Sequence, residues 1–159
     1  MNDNDNLKTL TQQKKAIRKI YFAQFDAHSD PLFKELGLLK LPDIIKLNNI
    51  IFVHNVLNNK IPKHFTHFFQ TMEIHHNHNL VRNPNSQYST PRGSLILPEI
   101  NNLHIGTKTI KYTCANTWNN TLKELCRKNP LLANDENWLK DKSVSQIKRL
   151  LKDHFLEQY

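Results

Sequence analysis

The stretch Ile44–Leu57 sets the tightest limit on how this chain folds, because a helix drawn through it carries apolar side chains on most of its sides. Ile44, Ile45, Leu47, Ile50, Ile51, Phe52, Val53, Val56 and Leu57 leave no broad polar face. Such a helix has to be enclosed by neighbours, so the remaining segments must wrap it. Pro42 suits a first helical turn, where its missing N–H goes unneeded, and Asn58-Asn59 suits the stop. At 159 residues the chain is one domain's worth and long enough to bury a core.

The wrapping elements read as mostly helical. Residues 1–6 are polar and uncapped, an expected disordered start to a single domain over 7–159. A helix follows in which Leu10, Ile17, Ile20 and Tyr21 form a narrow apolar stripe and Lys14, Lys15, Arg18 and Lys19 cluster on the other side. Phe22–His28 reads as a linker. Asp30 as cap and Pro31 in the first helical position then open a short helix that buries Leu32, Phe33 and Leu36 and stops at Gly37. Ile61-Pro62 opens another short helix, whose Phe65, Phe68 and Phe69 are spaced for packing rather than for stacking on bases. Near the end, Asn129–Asp135 reads as a loop and Ser143-x-x-Gln146 as a capping box. The final helix buries Val144, Ile147, Leu150, Leu151 and Phe155 and leaves Lys148, Arg149 and Lys152 outside.

Two periodicities meet in Gly106–Leu125. Thr107–Thr113 alternates in the manner of a half-buried strand, and Leu95–Pro98 offers a second arm, with Glu99–Ile105 between them. From Ala115 the period becomes helical: Trp118, Leu122 and Leu125 share one face, with Asn116 or Thr117 as cap and Tyr112 joining the core. Gln70–Gly93 is polar and rich in His, Asn and Pro, which predicts a long surface loop. The expected fold class is mainly α (α+β), a small helical domain with a short β-hairpin or ribbon between the core helices and the C-terminal helices.

A net charge of +8 and a pI near 9.5 make a polyanion the first partner to consider. No run of apolar residues is long enough for a membrane span, and MNDNDNLK is no signal peptide, so the expected location is intracellular, in nucleus or cytoplasm. Cys114 and Cys126 are too few for a disulfide scaffold and fit reduced thiols. His64, His67, His75, His76 and His78 crowd together, but no cysteine lies nearby and no C-x-x-C or H-E-x-x-H spacing occurs. No metal site follows from them, and no cofactor is implied. Glycine-rich phosphate cradles, paired carboxylates and nucleophile elbows are also missing from the sequence, which points away from an enzyme acting alone.

Read in order, several segments carry a resemblance. Gln12-Gln13-Lys14-Lys15-Ala16-Ile17-Arg18-Lys19-Ile20, then Asp26-Ala27-His28-Ser29-Asp30-Pro31-Leu32-Phe33-Lys34-Glu35-Leu36 with Leu38-Leu39-Lys40-Leu41, are similar to two consecutive helices of one family. His76-Asn77-His78-Asn79 leading to Arg82, then Tyr88, Pro91 and Arg92, follow its loop pattern. Gly106-x-Lys108, Tyr112 and Trp118-Asn119 follow a further element, and Ile147–Tyr159 its closing helix. Together they resemble the region downstream of the reverse-transcriptase domain in non-LTR (LINE-type, jockey-like) retrotransposon polyproteins. Cys114 stands where the family often has Gly, and Lys123 where Pro is usual.

That resemblance implies an accessory tail of an RNA-directed DNA polymerase. The polymerase's aspartate pair, its fingers and palm, and the endonuclease cannot fit in this chain, so the tail is not itself an enzyme. It would grip template RNA or target DNA through Lys14, Lys15, Arg18, Lys19, His78, Arg82, Arg92, Lys108 and Lys111. Single-strand reading by the histidine and asparagine loop would favour RNA, with Tyr88 either stacked on a base or buried. The rival class is a protein-interaction module that docks on the reverse-transcriptase core or on another copy of itself, without touching nucleic acid.

Overall fold

The computed structural model describes residues 3–65, 67–72, 93–99, 106, 109–134 and 137–159. Among them the chain is mainly helical, with α1 (Asp3–Ile20), α2 (Ser29–Glu35), α3 (Leu41–Leu57), α4 (Ile110–Lys128) and α5 (Val144–Leu156). Single 3₁₀ turns occupy Lys63–Phe65 and Pro130–Asn134. The chain divides into two compact units: a terminal unit, Met1–Asn48 with Ser145–Tyr159, and a central unit, Asn49–Val144. No helix among the described residues is long and apolar enough to cross a membrane.

In the terminal unit, Ile17, Phe33, Leu39, Ile147, Leu151 and Phe155 are buried. The α5 stripe read from the sequence therefore holds at Ile147, Leu151 and Phe155, while Val144 and Leu150 are half-buried, and Lys148, Arg149 and Lys152 lie outside as expected. α1 takes in Asp3–Asn6, the end of the stretch expected to be disordered. Its stripe departs from expectation at one place, because Ile20 is 61% exposed. α2 begins at Ser29, with His28 in the cap position and no side-chain cap bond. Asp30 is thus not the cap. Its carboxylate takes the Lys40 ammonium at 2.9 Å instead, and Pro31 falls inside the first turn.

Both α1 and α2 close with the same backbone device. At the end of α2, the Leu38 N–H donates to the Phe33 carbonyl at 2.9 Å and the Gly37 N–H to that of Lys34 at 3.0 Å. At the end of α1, the Ala23 N–H donates to the Arg18 carbonyl at 2.9 Å and the Phe22 N–H to that of Lys19 at 3.2 Å. This paired capping needs one residue in the left-handed region. Gly37 meets it with φ +60° at little cost, as the sequence predicts. Phe22 meets it with φ +52°, a conformation that costs an L-residue about 1–2 kcal/mol.

The central unit buries Ile50, Val53, Val56, Phe69, Leu95, Trp118, Leu122, Leu125, Trp138 and Leu139. The apolar helix is enclosed at Ile50, Val53 and Val56, but less than its sequence demands elsewhere, since Ile44 is exposed and Ile45, Leu47, Ile51, Phe52 and Leu57 are half-buried; it stops at Asn59, left-handed at φ +53°. Phe52 of α3 meets Phe65, Phe68 and Phe69 edge to face, with centroids 6.1, 6.3 and 6.1 Å away. The three phenylalanines are therefore packing residues. In place of the short helix read from Ile61-Pro62 there is only a 3₁₀ turn that ends at Phe65, with Phe68 and Phe69 beyond it.

The expected ribbon is replaced by a different arrangement. Among the described residues the only β-pairing is one antiparallel bridge between Thr71 and Leu95, flanked by Met72 N–H to Ser94 O (2.8 Å) and Ile96 N–H to Gln70 O (2.9 Å). The other arm is helical from Ile110 onward. Thr109 caps α4: its hydroxyl donates to the Gly106 carbonyl at 2.8 Å and accepts from the Tyr112 N–H at 3.3 Å. Asn116 and Thr117 are accordingly inside the helix. The short alternation over Thr107–Thr113 competes with a longer series, Lys111, Ala115, Trp118, Leu122 and Leu125, that repeats at helical spacing, and the longer period wins. Tyr112 ends half-buried.

Candidate nucleic-acid interface

The four cations of α1 do not act together. Lys15 and Lys19, one turn apart, are exposed, and Lys8 lies on the same side two turns earlier, also exposed. These three form an outward stripe. Lys14 and Arg18 are half-buried and belong to the side of α1 that meets α2. The charge of Lys14 helps to hold the Asp30 carboxyl below the usual carboxylate range, an effect led by the hydrogen bond from Lys40.

Arg18 organises the turn that follows α1. Its carbonyl accepts from the Ala23 N–H, and its Nε–H donates to the Ala27 carbonyl at 2.7 Å. The Ala27 N–H closes the turn onto Gln24 O at 3.1 Å. Within this fastened loop Phe22 is 97% exposed and Phe25 is 84% exposed. The sequence reading missed both. Two phenylalanines in a linker, outside any apolar periodicity, were the available signal.

Lys111, on α4, is half-buried and holds its Nζ 5.6 Å from the Phe68 ring centroid, a cation–π contact with the aromatic cluster. His78, Arg82, Arg92 and Lys108 lie outside the described residues, as do Tyr88 and most of the Gln70–Gly93 loop. The described chain just beyond that loop is held from α4. Trp118 Nε1–H donates to Gly93 O at 3.0 Å. Asn119 Oδ1 accepts from Leu95 N–H at 2.7 Å while its Nδ2 donates to Leu95 O at 2.8 Å. A single amide thereby supplies both bonds that a neighbouring strand would give to buried Leu95.

Asp30 and Asp43 of the terminal unit are matched by cations. Lys46 Nζ sits 3.0 Å from Asp43 Oδ1, and the Tyr159 hydroxyl donates to Asp43 Oδ2 at 2.5 Å while accepting from the Lys40 N–H at 2.9 Å. Burial, and then the bond to Asp43, push the Tyr159 phenol well above its ordinary range. Lys40 Nζ also lies over the Tyr159 ring at 3.9 Å. In the central unit, His54 is fully buried with Nε2 3.0 Å from Lys140 O and 2.9 Å from Lys142 O. Two carbonyls can only accept, so Nε2 carries the proton. Cys114 and Cys126 are free and buried, and burial pushes the Cys114 thiol up to about 11. No three His, Cys, Asp or Glu among the described residues are placed to hold a metal ion.

Comparison with family models, with characterised proteins and with solved structures finds no match for this chain. The resemblance to the retrotransposon region thus rests on the motifs that carry it.

Proposed function

We propose that this chain is a non-catalytic accessory region of a LINE-type reverse transcriptase, which grips template RNA or target DNA by the phosphate backbone. The supporting observation is the outward stripe of Lys8, Lys15 and Lys19 on α1, three exposed ammonium groups on one face of a helix. Phosphate contacts of this kind release counterions and need no base-specific geometry. Lys14 and Arg18 serve the interface indirectly, by fixing α1 against α2 and the following turn.

The test is fluorescence anisotropy with labelled RNA and duplex DNA at two salt concentrations. Binding that weakens steeply with salt, and that falls in a Lys15→Glu/Lys19→Glu variant, is expected. Undetectable affinity at low salt sinks the reading, and full binding by the charge-reversal variant removes α1 from it.

A further inference from the structure

Resting on that reading, we infer that the turn after α1 is a stacking platform for single-stranded nucleic acid, in which Phe22 and Phe25 receive bases while Lys15 and Lys19 hold the flanking phosphates. Four observations converge on it. Phe22 and Phe25 are 97% and 84% exposed, so neither ring serves the core. They sit in one turn, three residues apart, immediately after the lysine stripe. The turn is pre-organised from both ends by Arg18, through its carbonyl to the Ala23 N–H and its Nε–H to the Ala27 carbonyl at 2.7 Å. Phe22 also occupies a left-handed position, φ +52°, that Gly or Asn would fill at lower cost, as Gly37 and Asn59 do at the ends of α2 and α3. An aromatic held there against its backbone preference points to a use for the ring.

The chemistry of the surroundings selects the occupant. Each aromatic side chain offers roughly 150–250 Å² of surface, so the pair falls well short of the ~800 Å² that each partner contributes to a stable protein interface. Ile20, 61% exposed, adds to this apolar area, but Lys19, Gln24, Asp26 and His28 are exposed and polar, so the area stays small. Isolated rings beside a cationic track match the alternation of base face and phosphate along a single strand. A duplex keeps its bases stacked on one another and offers these rings nothing. The lysines therefore serve both forms of nucleic acid and the phenylalanines only one.

The experiment compares a labelled single-stranded oligo-uridine with a duplex of equal length at low salt, by anisotropy, on the full chain. The wild type is expected to favour the single strand. Phe22→Ala/Phe25→Ala should lose about a hundredfold on the single strand, since each stacked base contributes about tenfold, and should bind the duplex unchanged. Phe22→Gly removes the ring while relieving the backbone, so its loss of single-strand affinity cannot be ascribed to unfolding. Phe25→Leu keeps an apolar side chain and should still lose about tenfold. Equal single-strand affinity of the wild type and these variants overturns the platform and leaves phosphate binding standing. A change in self-association, by sedimentation, without a change in affinity overturns it in favour of a protein contact. No binding of either oligonucleotide defeats both this inference and the reading beneath it.

Discussion

The two units meet the demands of their polar groups differently, since the terminal unit adds charged ties to neutral ones. The terminal unit combines a neutral amide, Gln13 on the Leu39 carbonyl and the Leu41 N–H, with charge: Asp30 with Lys40, and Asp43 with Lys46 and the Tyr159 hydroxyl. The central unit uses neutral side chains bonded to backbone: Asn119 to Leu95, Trp118 to Gly93, and His54 and Asn58 to the Lys140 and Lys142 carbonyls. Charged ties respond to pH and salt, whereas neutral amide ties do not titrate and lose their contribution only when a partner is removed. The unit that carries the proposed interface is therefore also the one whose stability should follow solution conditions.

The largest expected break comes from the central unit. Asn119→Ala leaves the buried Leu95 N–H and C=O without the amide that serves both, and should destabilise by about 3 kcal/mol in chemical denaturation, with little pH dependence. Next is Tyr159→Phe, which takes a donor from Asp43 and an acceptor from the Lys40 N–H and should cost about 1–2 kcal/mol at neutral pH. Its pH signature is distinct. The folded-state phenol titrates above its unfolded value, so its contribution is intact below about pH 10 and lost as pH rises through the folded pKa. Denaturation midpoints of the wild type should fall in that alkaline range more steeply than those of Tyr159→Phe, which keep only the decline due to the buried thiols.

Two smaller effects sharpen the contrast within the terminal unit. Phe22→Gly should raise stability by about 1 kcal/mol, because glycine accepts the left-handed position without strain. A measured loss would mean that the ring packs on something. Asp30→Asn should cost at most about 0.5–1 kcal/mol near neutrality, since the pair with Lys40 is partly solvated. With its folded pKa depressed, Asp30 contributes above the unfolded carboxylate pKa and ceases to contribute as pH falls through the folded one. Wild type and Asp30→Asn should therefore converge in acid urea titrations.

Much of the helical scaffold was legible because burial leaves a period in the sequence. Ile147, Leu151 and Phe155 on α5, and Trp118, Leu122 and Leu125 on α4, are buried where the spacing placed them. Gly37 was legible as a stop for a local reason, its missing Cβ. What escaped depends on partners far along the chain. Nothing near Leu95 announces that Asn119, on a later helix, will stand in for a neighbouring strand, so a hairpin with Thr107–Thr113 looked like the natural use of that segment. Thr109 was overlooked as a cap because a short alternation around it imitates a strand. The α1 cations looked equivalent in sequence, and only the position of α2 separates Lys14 and Arg18 from the exposed stripe. Phe22 is the extreme case, since its apolar side chain gives no hint of a left-handed, fully exposed position.

The proposed grip on nucleic acid is tested most directly by the salt dependence of single-strand binding in the wild type and in a Lys8→Gln/Lys15→Gln/Lys19→Gln variant. Each phosphate contact on a single strand contributes about 0.7 to the slope of log K against log salt. Loss of the stripe should reduce that slope by about 2, with weaker binding at low salt and an unchanged circular dichroism spectrum. Identical slopes and affinities for the two proteins would contradict a role for α1 in holding nucleic acid.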